Sequence, residues 1–332
     1  MNRNLLPIAV STLALPLAAG CEDGALEPKI HGEGPIAAIA AEYAGWSPAL
    51  SIELASPGAD PSFNTPSLDG CPFTSRDGKT FYMASNRPGG LGGIDIWVST
   101  RPGAGDPWGP PVNVGAPVNS SVDDFCPTID RDGHRFFFVS RRVIAGSCGG
   151  SDIYVTRFRE DGGFEQPENL GCELNSAFDE AGPFPLPVPG SGPVLYFSST
   201  RPGLGAGGDL YVSESHGGVF GPAQLVAGVN SASDDGQPNL RRDGLELFFY
   251  STRPDPDALG GPDLYVATRE SAADAWSTPV NLGPNVNSSA GETRPSLSWD
   301  GTTLYFGSTR PGSEAASADL YLTTREKLTG GE

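Results

Sequence analysis

The hydrophobic positions of this chain fall into short runs that return at a nearly constant spacing. Each copy contains an Asp followed by Ile or Leu and then Tyr or Trp, and successive copies lie 54 to 57 residues apart. The five aligned residues are Asp95, Asp152, Asp209, Asp263 and Asp319. A fixed period of this length indicates a repeat architecture, in which each copy is one structural unit.

Each copy predicts four β-strands. The first strand begins at a proline and ends in Asp-Gly, as in PTIDRDG (127–133), and Asp-Gly is a strong signal for a tight hairpin turn. The second strand is a continuous apolar run, such as FFFVS or LYFSS, which is typical of a strand buried on both faces. A Gly-rich loop leads to the third strand, and a weak fourth strand follows an aromatic residue such as Trp108.

The two ends of the repeat complete each other. The last copy stops after its third strand, near Arg325, while WSPALSIEL (46–54) supplies a strand that precedes the first copy. We therefore predict an all-β fold, a five-bladed β-propeller of four-stranded blades, closed by an N-terminal strand that completes the last C-terminal blade. The propeller is expected to occupy residues 46–325 as one domain, with a tether at 21–45 and a C-terminal tail at 326–332.

The combination P-x-L-S-x-D-G, L-Y-F-x-S-x-R-P and D-[LI]-Y-V resembles the TolB-like (WD-like) propeller repeats of bacterial envelope proteins. The resemblance extends over about 280 residues and implies the propeller fold. TolB itself resembles a six-bladed propeller with an N-terminal domain, whereas the phrase occurs here five times. The resemblance therefore does not transfer the partners of the Tol system to this chain.

The first 20 residues resemble a signal peptide. Arg3 is followed by an apolar run from Leu5 to Ala19, which is too short to span a bilayer. The run ends in LPLAAGC, which resembles the lipobox of bacterial lipoproteins and implies lipidation of Cys21. The alternative is an ordinary secretory signal. In both cases we expect an exported protein, and with lipidation one anchored in the bacterial cell envelope, in the periplasm or at the outer membrane.

Charge and cysteine content narrow the classes of partner. The formal charge of −19 opposes binding to nucleic acid or to an anionic membrane surface, so membrane contact is expected only through the lipid. Export allows disulfides to form. The repeat positions permit Cys71 to pair with Cys126 and Cys148 with Cys172, although four cysteines allow three pairings. We expect a monomer.

Three polar positions return in every copy, which favours a structural role because one substrate would need only one site. The first is an arginine: Arg87, Arg142, Arg201, Arg253 and Arg310. The second is the aligned Asp that opens the third strand. The third is an acid before the first strand: Asp69, Asp124, Glu180, Asp235 and Glu292. We predict that each arginine forks between two of these carboxylates and fastens its blade.

The remaining chemistry of the sequence is sparse. Asp123, Asp179 and Asp234 precede three of the repeat acids and, with Asp124 and Asp235, are weak Ca²⁺ candidates at the central opening, against the alternative of a solvated acidic rim. No other metal and no cofactor is expected. GLGAGG (203–208) leads into a strand and not into a helix that could bind phosphate, so it does not indicate a nucleotide site. The three histidines are scattered along the sequence, which argues against a histidine-based catalytic or metal site. The G-x-S-x-G motif of serine hydrolases does not occur.

These observations predict a non-catalytic envelope lipoprotein, a propeller platform for an envelope protein or a glycan. The alternative is a carbohydrate-active, glycosidase-like propeller with its site at the acidic central opening, where carboxylates would supply the chemistry.

Overall fold

The computed structural model describes residues 42–188, 190, 192–205, 207–313 and 318–328. The expected signal peptide, Cys21 and most of the tether therefore lie outside the described residues. Within those residues no helix is long and apolar enough to cross a membrane.

The chain forms five antiparallel sheets, as the repeat predicted. Blade 1 consists of β2 (Asp69–Thr74), β3 (Thr80–Ser85), β4 (Asp95–Thr100) and β5 (Val112–Asn113). Blade 2 consists of β6 (Asp124–Ile129), β7 (Arg135–Ser140), β8 (Asp152–Arg157) and β9 (Glu168–Asn169). Blade 3 consists of β10 (Glu180–Leu186), β11 (Val194–Ser199), β12 (Asp209–His216), β13 (Val219–Phe220) and β14 (Gln224–Leu225). Blade 4 consists of β15 (Asp235–Leu240), β16 (Glu246–Ser251), β17 (Asp263–Thr268) and β18 (Val280–Asn281). Blade 5 consists of β19 (Glu292–Leu297), β20 (Thr303–Ser308), β21 (Asp319–Thr324) and β1 (Leu50–Ser51).

The N-terminal strand closes the ring. Leu50 of β1 lies opposite Leu322 of β21, so the predicted fourth strand of the last blade is present. It is shorter than WSPALSIEL suggested, because the chain turns into a short helix, α1 (Ile52–Ala55), whose Ile52 is fully buried. Tyr43 also pairs with Lys327, so the two chain ends meet beyond the predicted limits of 46 and 325.

The second strands form the core between blades. On β7, Phe136 and Phe138 pack with Tyr82 of blade 1, while Phe137 of the same strand packs with Phe197 of blade 3. The three phenylalanines are fully buried. Successive side chains of a strand point to opposite faces, so a continuous aromatic run fills both neighbouring interfaces. This explains why these strands do not alternate between apolar and polar residues.

The propeller has two ends that differ in their connections. The first strands of neighbouring blades contact each other around the ring and so line the axis. The end where these strands begin carries the blade connections and the Gly-rich loops, and we call it the loop end. The opposite end carries the Asp-Gly hairpin turns that join the first strands to the second, and we call it the turn end.

Candidate functional site

The axis is nearly closed halfway along its length. Each first strand has an irregularity in its register, and the residue there has a left-handed backbone with φ between 48° and 59°. These residues are Cys71, Cys126, Gly182, Gln237 and Arg294. They surround a cavity of about 30 Å³, which holds no more than one or two waters. A ligand must therefore bind at one end of the axis and cannot pass through it.

Two disulfides form, in one of the pairings that the sequence allowed. Cys71 is bonded to Cys126, which joins blades 1 and 2 at the axis. Cys148 is bonded to Cys172 and joins two connections of blade 2. Neither pair provides a free thiol.

Each repeat arginine binds the acid that opens the first strand of its own blade. The N–O distances are 2.5 Å for Arg87 and Asp69, 2.7 Å for Arg142 and Asp124, 3.0 Å for Arg201 and Glu180, 2.7 Å for Arg253 and Asp235, and 3.2 Å for Arg310 and Glu292. The five acids are fully buried. Each arginine also donates to a backbone carbonyl of the preceding connection, as Arg201 does to Leu174. These carboxylates are engaged within the protein and are not open to a ligand.

The aligned Asp residues that open the third strands do not take part in these pairs. The prediction that each arginine binds two carboxylates is therefore wrong for the second carboxylate. Asp152 and Asp209 instead accept hydrogen bonds from the backbone N–H groups of Cys148 and Leu204, within the loops that precede them. Asp95 and Asp263 bind their own loops in the same way. A Gly-rich loop leaves backbone donors without strand partners, and the carboxylate satisfies them.

The acids at the loop end also bind backbone. Asp123, Asp179 and Asp234 each accept an N–H from the Gly-rich loop of the preceding blade: Ile94, Ser151 and Gly208, at 2.7 to 2.9 Å. The equivalent contact in the next blade would involve Pro262, which has no N–H, and the residue that takes the place of the acid there is Gly291. At the fifth junction Leu68 takes the place of the acid although Ala318 has an N–H, so the contact forms at three of the five junctions. Within the described residues, no group of three or more His, Cys, Asp or Glu side chains is placed to hold a metal ion.

A larger cavity lies at the turn end, and we call it the turn-end pocket. It has a volume of about 590 Å³, which is in the range of small-molecule sites. The turns after β2 and β6 form one side, from Ser75 to Thr80 and from Asp130 to Gly133, and Arg242 and Trp299 lie on the other. This end was not predicted as a site from the sequence. The signal was present, because the residue before Asp-Gly is Arg76, Arg131, Arg242 and Trp299 in four of the five blades.

The guanidinium groups of this pocket form no ion pair with an acid in the part of the chain that the structure describes. Arg76 and Arg242 lie over the ring of Trp299, at 5.0 and 4.2 Å from its centroid. The Nη1 atom of Arg242 is buried and has no hydrogen-bond partner among the described residues. Burial and the nearby charge of Arg131 lower the pKa of Arg242 to about 10. The protein thus holds a poorly solvated cation at the wall of an open cavity.

Carboxylates and apolar surface complete the lining. Asp77 and Asp132 are exposed at the turns of neighbouring blades. Hydrogen bonds from the Ser75 hydroxyl and from the backbone of Lys79 lower the pKa of Asp77, so this carboxyl is ionised at neutral pH. Ile129 and Phe158 add half-buried apolar surface.

No protein-family model and no curated protein matches this sequence. Among solved structures, the chain is similar to a thermostable family-43 glycoside hydrolase, with a TM-score of 0.55 and 12% identity over 82% of this chain and 94% of the other. It is similar to an alpha-L-arabinofuranosidase from Lactobacillus brevis, with a TM-score of 0.53 and 12% identity over 82% and 94%. A putative TolB from Agrobacterium tumefaciens matches with a TM-score of 0.46 and 17% identity over 81% and 80%.

These comparisons support the five-bladed fold and correct one prediction. The TolB-like likeness is only one of several propeller likenesses. The prediction that the chain is not an enzyme is contradicted, because the proteins that share its shape over most of their length include glycoside hydrolases. At this level of identity the likeness itself concerns the fold, and any activity on glycans is a matter for proposal.

Proposed function

We propose that this protein is a carbohydrate-active propeller that holds a saccharide in the turn-end pocket. The observation that carries the proposal is the composition of this pocket, which offers a saccharide-sized volume with carboxylates, guanidinium groups and apolar surface side by side. Sugar hydroxyls donate to carboxylates, while the C–H faces of a sugar ring pack on apolar side chains. The structural likeness to glycoside hydrolases supports the same class of ligand.

The acidic central opening, the site expected from sequence, is less suited to this role. Its five repeat acids are buried against arginines, and Asp123, Asp179 and Asp234 each use one oxygen to hold a neighbouring loop. Arg141 also lies 3.5 Å from Asp123 and 3.6 Å from Asp179. These contacts stabilise the loop end, so we place the site at the other end of the axis.

We assign two exposed carboxylates of the pocket, Asp77 and Asp132, to the two roles that glycoside hydrolysis requires. One group must donate a proton to the leaving glycosidic oxygen, and the other must take a proton from the water that adds to the anomeric carbon. Asp77 is held ionised by its hydrogen bonds and fits the base. Asp132, on the neighbouring turn of the same pocket, is assigned as the proton donor.

The test measures binding and hydrolysis with the same protein. Arabino-oligosaccharides, xylo-oligosaccharides and oligogalacturonides would be titrated by isothermal calorimetry and then incubated with the protein to follow new reducing ends. We expect at least one class to bind, and we expect Asp77→Asn and Asp132→Asn to lower hydrolysis about a hundredfold or more. Asp257→Asn is the matched control, because Asp257 is an exposed acid at the loop end. If no saccharide binds and none is hydrolysed, the proposed function is wrong.

A further inference from the structure

The arginines of the turn-end pocket differ from most others in the protein. Ten arginines of the described chain form ion pairs with carboxylates. Arg76, Arg131 and Arg242 form none within the described residues, although the protein carries 40 acids against 21 cations. Arg76 and Arg131 are exposed to solvent, so the residue that requires an explanation is Arg242, which is half-buried and has a buried Nη1 atom without a hydrogen-bond partner among the described residues.

The position of these residues in the repeat shows that they converge. Arg76, Arg131, Arg242 and Trp299 occupy the same place in four hairpin turns, directly before Asp-Gly. The turns surround the axis, so residues at this position line one cavity from several sides. In blade 3 the equivalent residue is Pro187, which lines a different cavity, and the cationic lining is therefore confined to part of the ring.

The energetic cost of this arrangement indicates a ligand. A buried guanidinium without a hydrogen-bond partner destabilises the folded protein unless a ligand provides an acceptor. Arg242 stacks on Trp299 at 4.2 Å and on Phe184 at 5.1 Å, which fixes the plane of its donors. A planar, fixed guanidinium matches a carboxylate, which can accept two parallel hydrogen bonds from it.

We propose that the saccharide held by the turn-end pocket is a uronate, whose carboxylate binds Arg242 and Arg131 while its hydroxyls bind Asp77 and Asp132. This inference rests on the proposed function and adds the charge of its ligand. The pocket contains both guanidinium groups and carboxylates, so a ligand with one negative charge and several hydroxyl donors satisfies both. The inorganic phosphate dianion has a single hydroxyl donor for Asp77, Asp132 and the buried Asp130, and these acids repel its charge.

The experiment compares two ligands that differ in the carboxylate. Trigalacturonate and its neutral counterpart, galactotriose, would be titrated into the full chain by isothermal calorimetry at neutral pH, with inorganic phosphate as a third ligand. We expect trigalacturonate to bind about tenfold to a hundredfold more tightly than galactotriose, as for a charge-assisted hydrogen bond. Arg242→Met should remove this preference, so that trigalacturonate and galactotriose bind the variant with similar affinity. Arg141→Met is the matched control, because Arg141 is exposed and lies beside Asp123 and Asp179 at the loop end, the opposite end of the axis.

The possible outcomes separate the two proposals. Equal affinity for the acidic and the neutral trisaccharide overturns the uronate inference but supports a saccharide site. Tight binding of phosphate without binding of trigalacturonate also overturns it and identifies an inorganic anion site. Absence of binding by any saccharide contradicts the proposed function itself. A preference for trigalacturonate that survives in Arg242→Met places the carboxylate elsewhere and refutes the assignment to this pocket.

Discussion

The pair of Arg201 and Glu180 provides a quantitative test of how the blades are fastened. Glu180 is fully buried, and Arg201 Nη2 lies 3.0 Å from its Oε1. Arg201 also donates to the Ser199 hydroxyl at 2.9 Å and to the Leu174 carbonyl at 2.6 Å. Replacing Arg201 by Met keeps much of its apolar stem but leaves a buried carboxylate without a cation.

Removing one partner of a buried ion pair costs about 3 to 5 kcal/mol. Here the cost lies at the lower end, about 3 kcal/mol, because Glu180 keeps hydrogen bonds from the Ser176 and Ser199 hydroxyls at 2.6 and 2.7 Å. In a domain of this size 1 kcal/mol corresponds to about 2 °C, so Arg201→Met should lower Tm by about 6 °C. Glu180→Gln should cost somewhat less, since Arg201 is partly exposed.

The double variant shows whether Arg201 and Glu180 stabilise the protein through their interaction with each other. Arg201→Met with Glu180→Gln leaves no uncompensated charge, so we expect it to be more stable than the sum of the single losses by at least about 1.5 kcal/mol. Urea denaturation followed by circular dichroism gives the free energy of unfolding for all four proteins. Additive losses, or a change in Tm below 1 °C for Arg201→Met, would refute the view that the repeat arginines fasten the blades.

Three further predictions concern stability. Arg242→Met should raise Tm in the absence of ligand. The lowered pKa of Arg242 means that its positive charge destabilises the folded state below about pH 10, by about 1 to 3 kcal/mol. A fall in Tm measured by scanning calorimetry would instead indicate a structural role for the charge. Cys71→Ala with Cys126→Ala removes a crosslink between residues 55 apart and should lower the free energy of unfolding, measured by urea denaturation, by about 2 to 5 kcal/mol. Cys148→Ala with Cys172→Ala should lower it less, because these two residues are 24 apart. Burial raises the pKa of Tyr82 and Tyr305 to about 12, so their contribution to stability is complete below pH 10 and is lost as the pH rises towards 12. Titration followed by absorbance at 295 nm should show unfolding in that interval. Ordinary ionisation of both residues near pH 10 in the native protein would contradict this prediction.

The periodicity of the sequence was sufficient to predict the fold, because every blade repeats the same physical requirements. Asp-Gly turns, doubly buried second strands and a fixed period leave few alternatives to a ring. The closing strand was placed correctly but its length was not, since the burial of Ile52 in α1 ends the strand after Ser51. An apolar residue can satisfy burial in a strand or in a helical turn, and the local pattern does not distinguish the two.

The polar contacts were harder to predict. The acid bound by Arg201 was anticipated, but Asp209 binds the backbone of its own loop, and sequence does not show which loop donors lack strand partners. The turn-end pocket was not predicted, because Arg76, Arg131 and Arg242 lie in separate hairpins that are far apart in the sequence. Their convergence appears only when the turns are arranged around an axis, although comparison of the same position across all copies would have revealed the enrichment.

The meeting of the two chain ends has a practical consequence for experiments. Glu42 contacts Arg241 at 3.0 Å, and the N–H of Leu328 donates to the Glu42 carbonyl at 2.8 Å, so the first and last described residues, 42 and 328, both lie at the turn end. An affinity tag fused directly before Glu42 or directly after Leu328 would therefore attach the protein to a sensor chip with the turn-end pocket directed towards the matrix. Immobilisation through a cysteine introduced at Asp257, on the loop end, would present the pocket to the flowing solution.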